Sequence, residues 1–220
     1  MIIAIDGPAG AGKSTVAKRV AQRLNFTYLD TGAMYRAVTV FALEKKADLH
    51  NEDELAALAR QAKIEIEPQP DGHLKIILNG RDVTSCIREN EITKNVSFIA
   101  KAPKVRAVMV ELQRAFGRSH DIVVEGRDIG TVVFPDAQKK FYLDADFKER
   151  ARRRIAELSE TNSDISAPEV AQDLQRRDQL DMTRSVGPLK QAEDAIYIDT
   201  TQMSIEEVVE TILKHIKQDG

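Results

Sequence analysis

The chain has 220 residues, 42% of them apolar and 30% charged, with no tryptophan, a single cysteine and a formal charge of −3. That length can bury a substantial core in one domain, or in one domain carrying an insertion. Few aromatics argue against a base-stacking surface, the mild acidity argues against a nucleic-acid partner, and the short apolar runs argue against a membrane span.

Ile2 to Asp6 is a short β-branched apolar run, read as a buried strand, and no basic or cleavable leader pattern precedes it. From Lys13 to Leu24 the apolar residues Val16, Val20 and Leu24 fall four apart, on one helical face. Tyr28–Leu29 reads as a second strand and Gly32 to Lys45 as a second helix. Asn51 and Glu54 form a capping-box pattern that starts a helix running to Gln61. The stretch 63–84 changes character: Ile64 and Ile66 alternate with Glu65 and Glu67, and Pro68, Pro70 and Asp71–Gly72 interrupt the run. Leu74 to Leu78 resumes it, and Asn79–Gly80 is a hairpin signal. This is a small antiparallel insertion in a chain otherwise patterned β then α.

Ile92 to Ala100 and Pro103 to Arg118 read as helices, with Pro103 suited to a first helical position. Ile122–Val124, Phe141–Leu143 and Ile196–Ile198 complete five core strands. Helical patterns at Lys148–Leu158, Pro168–Leu180 and Ser204–Ile216 separate or follow them, the last opened by a Ser204/Glu207 capping box. Such alternation predicts an α/β fold with a parallel sheet covered on both faces. The polar stretch between Glu160 and Ala167 is a candidate lid, spanning about residues 155–168. Cys86 cannot form an internal disulfide and fits a reducing, cytoplasmic setting.

The strongest chemical signal is Gly7-Pro8-Ala9-Gly10-Ala11-Gly12-Lys13-Ser14, a match to G-x-x-x-x-G-K-[ST], with Thr15 following. A chance glycine-rich turn is the plain alternative, but a strand ends at Asp6 and a helix begins near Lys13, as a phosphate loop requires. Backbone N–H groups and the helix N-terminus would cradle a polyphosphate. Lys13 would reach its outer phosphates, and the Ser14 hydroxyl would ligate Mg²⁺. The loop alone does not choose among motor, switch, pump and kinase.

A kinase must hold a second anion beside the donor's terminal phosphate, which calls for several fixed cations, arginines above all. Arg36 follows Asp30-Thr31-Gly32-Ala33-Met34-Tyr35, and Arg127–Asp128 sit at the end of the third core strand. Arg150, Arg152, Arg153 and Arg154 precede the candidate lid, and Arg176, Arg177 and Arg184 follow it. Each has a bland reading as a solvated helix charge or a structural ion pair. Arg177, Asp181 and Arg184 have spacings that place them on one helical face, which a surface salt-bridge row also explains. His50, His73, His120 and His215 show no ligand spacing, so no resident metal site is expected.

Together, Asp6 to Thr15, Asp30 to Arg36, Glu125-Gly-Arg-Asp-Ile-Gly-Thr-Val-Val-Phe-Pro135 and Arg177 with Arg184-Ser-Val-Gly-Pro-Leu189 resemble the bacterial cytidylate kinases over almost the whole chain. The resemblance implies a P-loop nucleoside monophosphate kinase fold: a five-stranded parallel sheet, a β-rich insertion at 63–84 and a lid. It implies ATP·Mg²⁺ as donor, CMP and dCMP as acceptors, and a monomer. By position, Thr31, Arg36, Arg127 and Arg184 would hold the acceptor phosphate. Ser97 and Arg106, with Asp128, would read the cytosine edge, and Arg177 and Asp181 would meet the sugar. Arg150 and Arg154 would close over the ATP phosphates, and Lys13, Arg127, Asp128 and Arg184 would form the catalytic set. A kinase for another small acceptor, such as shikimate or a different monophosphate, is the alternative. A guanine-specific switch is more remote, because no Asn-Lys-x-Asp element occurs.

Overall fold

The computed structural model describes residues 1–69, 74–118, 120–159 and 166–217. In chain order the elements are β1 (Ile2–Asp6), α1 (Lys13–Leu24), β2 (Thr27–Asp30), α2 (Thr31–Glu44), α3 (Glu52–Gln61), β3 (Ile64–Pro68), β4 (Leu74–Leu78) and β5 (Arg81–Asp82). There follow α4 (Asn90–Lys101), α5 (Pro103–Gly117), β6 (Ile122–Gly126), β7 (Lys139–Asp144), α6 (Phe147–Ser159), α7 (Ala167–Thr183), β8 (Ile196–Asp199) and α8 (Ile205–Lys217). A short 3₁₀ turn at Cys86–Arg88 and a π turn at Ile129–Val133 complete the set.

The main sheet is five-stranded and parallel, in the order β2-β6-β1-β7-β8. Side chains alternate across its faces, and both faces are buried. Ala4, Leu29, Ile122 and Val124 point into a core shared with α2, α3, α4 and α5. Ile3, Ile5, Val123, Phe141 and Leu143 point into one shared with α1 and α8. Burying each such aliphatic side chain contributes roughly 1.5–3 kcal/mol, which is why the strands read as continuous apolar runs rather than alternating ones.

The 63–84 stretch forms a second, three-stranded antiparallel sheet, β3-β4-β5. Asn79 and Gly80 take φ values of 51° and 79° in the turn joining β4 to β5, the left-handed pair that such hairpins need. The expected breaks at Pro70 and Asp71–Gly72 lie outside the described residues. The Asn51/Glu54 box is only half formed. Asn51 accepts from the Glu54 N–H at 3.2 Å, but its own N–H already serves the Asp48 carbonyl at 2.9 Å, so Glu54 caps Asp48 instead. The Ser204/Glu207 box forms reciprocally. α7 opens with a Ser166/Glu169 box that the sequence reading passed over. Of the candidate lid, residues 155–159 belong to α6 and 166–168 to the start of α7; its centre, 160–165, lies outside the described residues.

Candidate functional site

The carboxyl ends of β1, β2 and β6 open onto one crevice, the position where parallel α/β sheets gather ligands. From β1 the chain turns through Gly7, Pro8, Ala9, Gly10, Ala11 and Gly12 into α1, with positive φ at Gly7, Gly10 and Gly12. Lys13 is only 5% exposed, and its ammonium donates to the Pro8 carbonyl at 2.7 Å. Burial, and then the charge of Arg127, lower its pKa to about 7. Ser14 and Thr15 are exposed at the first turn of α1. Tyr28 Oη donates to Glu125 at 2.5 Å. Burial, then the nearby Asp30 carboxylate, raise the Glu125 pKa.

Asp6, at the tip of β1, accepts the backbone N–H groups of Ile129 and Gly130, both at 2.8 Å. It thereby caps the π turn that follows Arg127–Asp128, a rare helix form that is frequent at functional sites. Burial pushes Asp6 up to about 6, against the pull of those two bonds.

Opposite the loop, charged side chains from four parts of the chain alternate in sign. Arg106 of α5, 1% exposed, donates to Asp128 and, at 3.2 Å, to the Tyr35 hydroxyl. Asp128 also accepts from Arg184 at 3.0 Å. Arg184 approaches Asp181 at 3.7 Å, and Asp181 accepts from Arg127 Nε at 2.8 Å. Arg177 and Asp181 share a face of α7 as the spacing predicts. Arg184 does not: α7 ends at Thr183, and Arg184 is extended (ψ 142°) because the chain turns there toward Gly187, whose carbonyl its Nε meets.

The remaining expected residues divide. Thr31, at the start of α2, donates its hydroxyl to the Glu125 carbonyl at 2.7 Å. Arg36 donates to the Ile87 carbonyl and to Thr93 Oγ1, each at 2.9 Å, which orients its guanidinium. Burial and then Arg177 lower the Arg36 pKa to about 10. Burial and then Arg127 lower that of Arg177. Arg154, paired with Glu157 at 2.7 Å, adds to the positive field at both Arg36 and Arg177. Ser97 sits half-buried on α4, one turn beyond Thr93.

The Arg150 guanidinium is buried against the loop, held by the Ala145 and Ala9 carbonyls and by Asp178. Its Nε and Nη1 are thereby committed to the protein.

Several contributors escaped the sequence reading. Asp6 and Glu125 lie inside motifs that were read for their neighbours. Asp178 carries no local signal. Arg153, read in the sequence only as one of a run of arginines, donates to Thr200 Oγ1 at 3.0 Å and to the Thr200 carbonyl at 2.6 Å, beside Gly12. Among the described residues no three His, Cys, Asp or Glu side chains are placed to hold a metal by themselves.

Residues 3–218 match the cytidylate kinase family model. The chain is 50% identical to a cytidylate kinase of Anoxybacillus flavithermus over 96% of its own length and 93% of the relative's. It is 48% identical to the Bacillus subtilis cytidylate kinase, covering 98% and 96% of the two chains. A solved structure of an uncharacterized protein from Eubacterium ventriosum shares the fold at 12% identity. The TM-score is 0.54, over 99% of this chain and 98% of that one.

Proposed function

The chain belongs to the cytidylate kinase family, and from that premise we propose how its residues divide the ATP-dependent phosphorylation of CMP and dCMP. The observation that carries this division is the gathering of buried cations around Lys13: beyond burial, Arg127 lowers the pKa of Lys13 and of Arg177, and Arg177 and Arg154 lower that of Arg36. Like charges are gathered this way, at a cost, where a polyanion is to be neutralised.

The donor side is the phosphate loop. Its backbone N–H groups and Lys13 hold the ATP phosphates, with Thr15 at the opening turn of α1 and Arg154 approaching from α6. Ser14 and the Glu125 carboxylate offer the hard oxygen donors that Mg²⁺ takes. When bound with ATP, that ion neutralises charge on the β- and γ-phosphates. On the acceptor side, Thr31, Arg36, Arg127 and Arg184 hold the monophosphate, and Arg177 and Asp181 meet the sugar. Ser97, Arg106 and Asp128 read the base: Asp128 accepts from the cytosine amino group and Arg106 donates to its ring nitrogen. Uracil presents the opposite polarity at both atoms, which leaves buried groups unpaired at about 1–3 kcal/mol each.

An acceptor phosphate oxygen forms a bond to the γ-phosphorus as the bond to the β–γ bridging oxygen breaks, and ADP leaves. That oxygen is already anionic near neutral pH, so no side chain is needed as general base. The protein's work is alignment, charge neutralisation and exclusion of water. Both sites are built from one copy of the chain, so a monomer suffices. Among the described residues no helix is long and apolar enough to cross a membrane, and we place the enzyme in the cytoplasm with its nucleotides. With ATP·Mg²⁺, ADP release requires CMP or dCMP; release that is independent of any acceptor would overturn the kinase assignment.

A further inference from the structure

Arg150 has no part in the chemistry above, yet it is among the most constrained cations in the protein. Its side chain is 10% exposed. Nε donates to the Ala145 carbonyl at 3.0 Å, and Nη1 donates to the Ala9 carbonyl at 3.1 Å and to Asp178 Oδ2 at 2.5 Å. Ala9 belongs to the phosphate loop, Ala145 to the turn after β7, and Asp178 to α7. Beside this junction, Ala9 packs with Ala151 of α6 and Leu174 of α7 in a separate apolar cluster. The loop also rests directly on the α6 backbone, since a Cβ on Gly10 would lie 2.9 Å from the Arg150 carbonyl oxygen and 3.0 Å from its Cβ.

Stability alone is a poor reason for this pair. Two apolar residues of similar volume would stabilise a buried site as well or better, and Asp178 Oδ1 is left buried with no hydrogen-bond partner, which costs further free energy. What the pair supplies is geometry. The loop's N–H groups face a phosphate only while the intervening carbonyls are turned away, and Arg150 fixes one of those carbonyls at Ala9. Asp178 anchors the guanidinium from the same helix that carries Arg177 and Asp181.

We propose that Arg150 is a positioning residue of the phosphate loop. Asp178 acts through it, so that the helix serving the acceptor also sets the shape of the donor site. This rests on the reading of the loop as the ATP site and of α7 as an acceptor element.

Calorimetric titration of ATP and of CMP, separately, tests it on Arg150→Met, Asp178→Asn and the double variant, with Lys13→Ala marking the loop's own contribution. Arg150→Met should weaken ATP binding about tenfold or more by loss of preorganisation, with CMP binding unchanged within about twofold. Asp178→Asn, which touches no loop atom, should weaken ATP binding about threefold, because the two carbonyl bonds of Arg150 persist. The double variant should be no worse than Arg150→Met. It also removes the unpaired buried carboxylate, and so serves where Arg150→Met alone fails to fold. ATP affinity within twofold of wild type in the folded variants would overturn the proposal, as would equal losses for ATP and CMP. A wild-type chain that binds no ATP, or a Lys13→Ala variant that binds it normally, would overturn the kinase reading and this proposal with it.

Discussion

In the proposed division of roles, the two halves of the crevice hold anions by different means. On the donor side a contiguous loop offers backbone N–H groups, and of its side chains Lys13 alone carries charge. On the acceptor side the backbone contributes little. There, Arg36, Arg106, Arg127 and Arg184, from four helices or strand ends, are oriented by Thr93, Tyr35, Asp128 and Asp181. A backbone cradle binds any polyphosphate. A lattice of side chains paired with one another can also reject a wrong base, because a mismatched edge leaves a buried group unpaired. Donor generality and acceptor selectivity therefore follow from how each half is built.

The largest expected effects fall where the halves meet. Lys13→Ala and Arg127→Ala should each lower kcat by roughly two to three orders of magnitude, the cost of losing a preorganised electrostatic donor. Steady-state ADP release from folded variants checks this, and near-normal turnover of both would contradict the division of roles. Asp128→Ala probes the acceptor lattice alone. It strands Arg106 as a buried cation without its carboxylate and takes from Arg184 the nearer of its two, so stability should fall by about 3 kcal/mol and KM for CMP should rise far more than KM for ATP. Equal effects on both substrates would blur the distinction between the halves.

A smaller effect distinguishes the halves by pH. Lys13 is lowered to about 7 in the free protein, and a bound phosphate raises it, so ATP binding near pH 8 should take up a proton. Affinity is then fully present below pH 7 and weakens as pH rises above it, by at most about tenfold per pH unit. Calorimetry in buffers of different ionisation enthalpy measures the uptake. Lys13→Arg, permanently charged, should lose it, and CMP binding to the wild type should show none of this Lys13-linked uptake. The smallest effect lies farthest from the crevice. Gly80→Ala forces a side chain onto a φ of 79° and should cost about 1 kcal/mol of stability, leaving kcat for CMP unchanged; thermal unfolding and turnover on the same sample decide it.

The same contrast explains what could be read in advance. The strands, helices and hairpin follow from local rules, such as β-branched runs, four-residue spacing, Pro103 and Asn79–Gly80, and the structure places them within a few residues of expectation. The phosphate loop is contiguous, so its spacing alone carried it. The acceptor side was legible only through family resemblance, because Arg106, Asp128 and Arg184 are far apart in sequence and each alone resembles an ordinary surface charge. For Arg150, no local pattern reveals that Asp178 and Ala9 converge on it. Glu54 went to Asp48 because a local turn from Asp48 to Asn51 had already used the Asn51 N–H.

The central claim is that the acceptor lattice reads cytosine. The direct measurement is kcat/KM for CMP, dCMP, UMP, AMP and GMP with saturating ATP·Mg²⁺, followed by ADP release. CMP and dCMP should exceed UMP by at least about tenfold, the factor that one unpaired buried group sets, and should exceed the purine nucleotides as well. A kcat/KM for UMP comparable to that for CMP would contradict the claim.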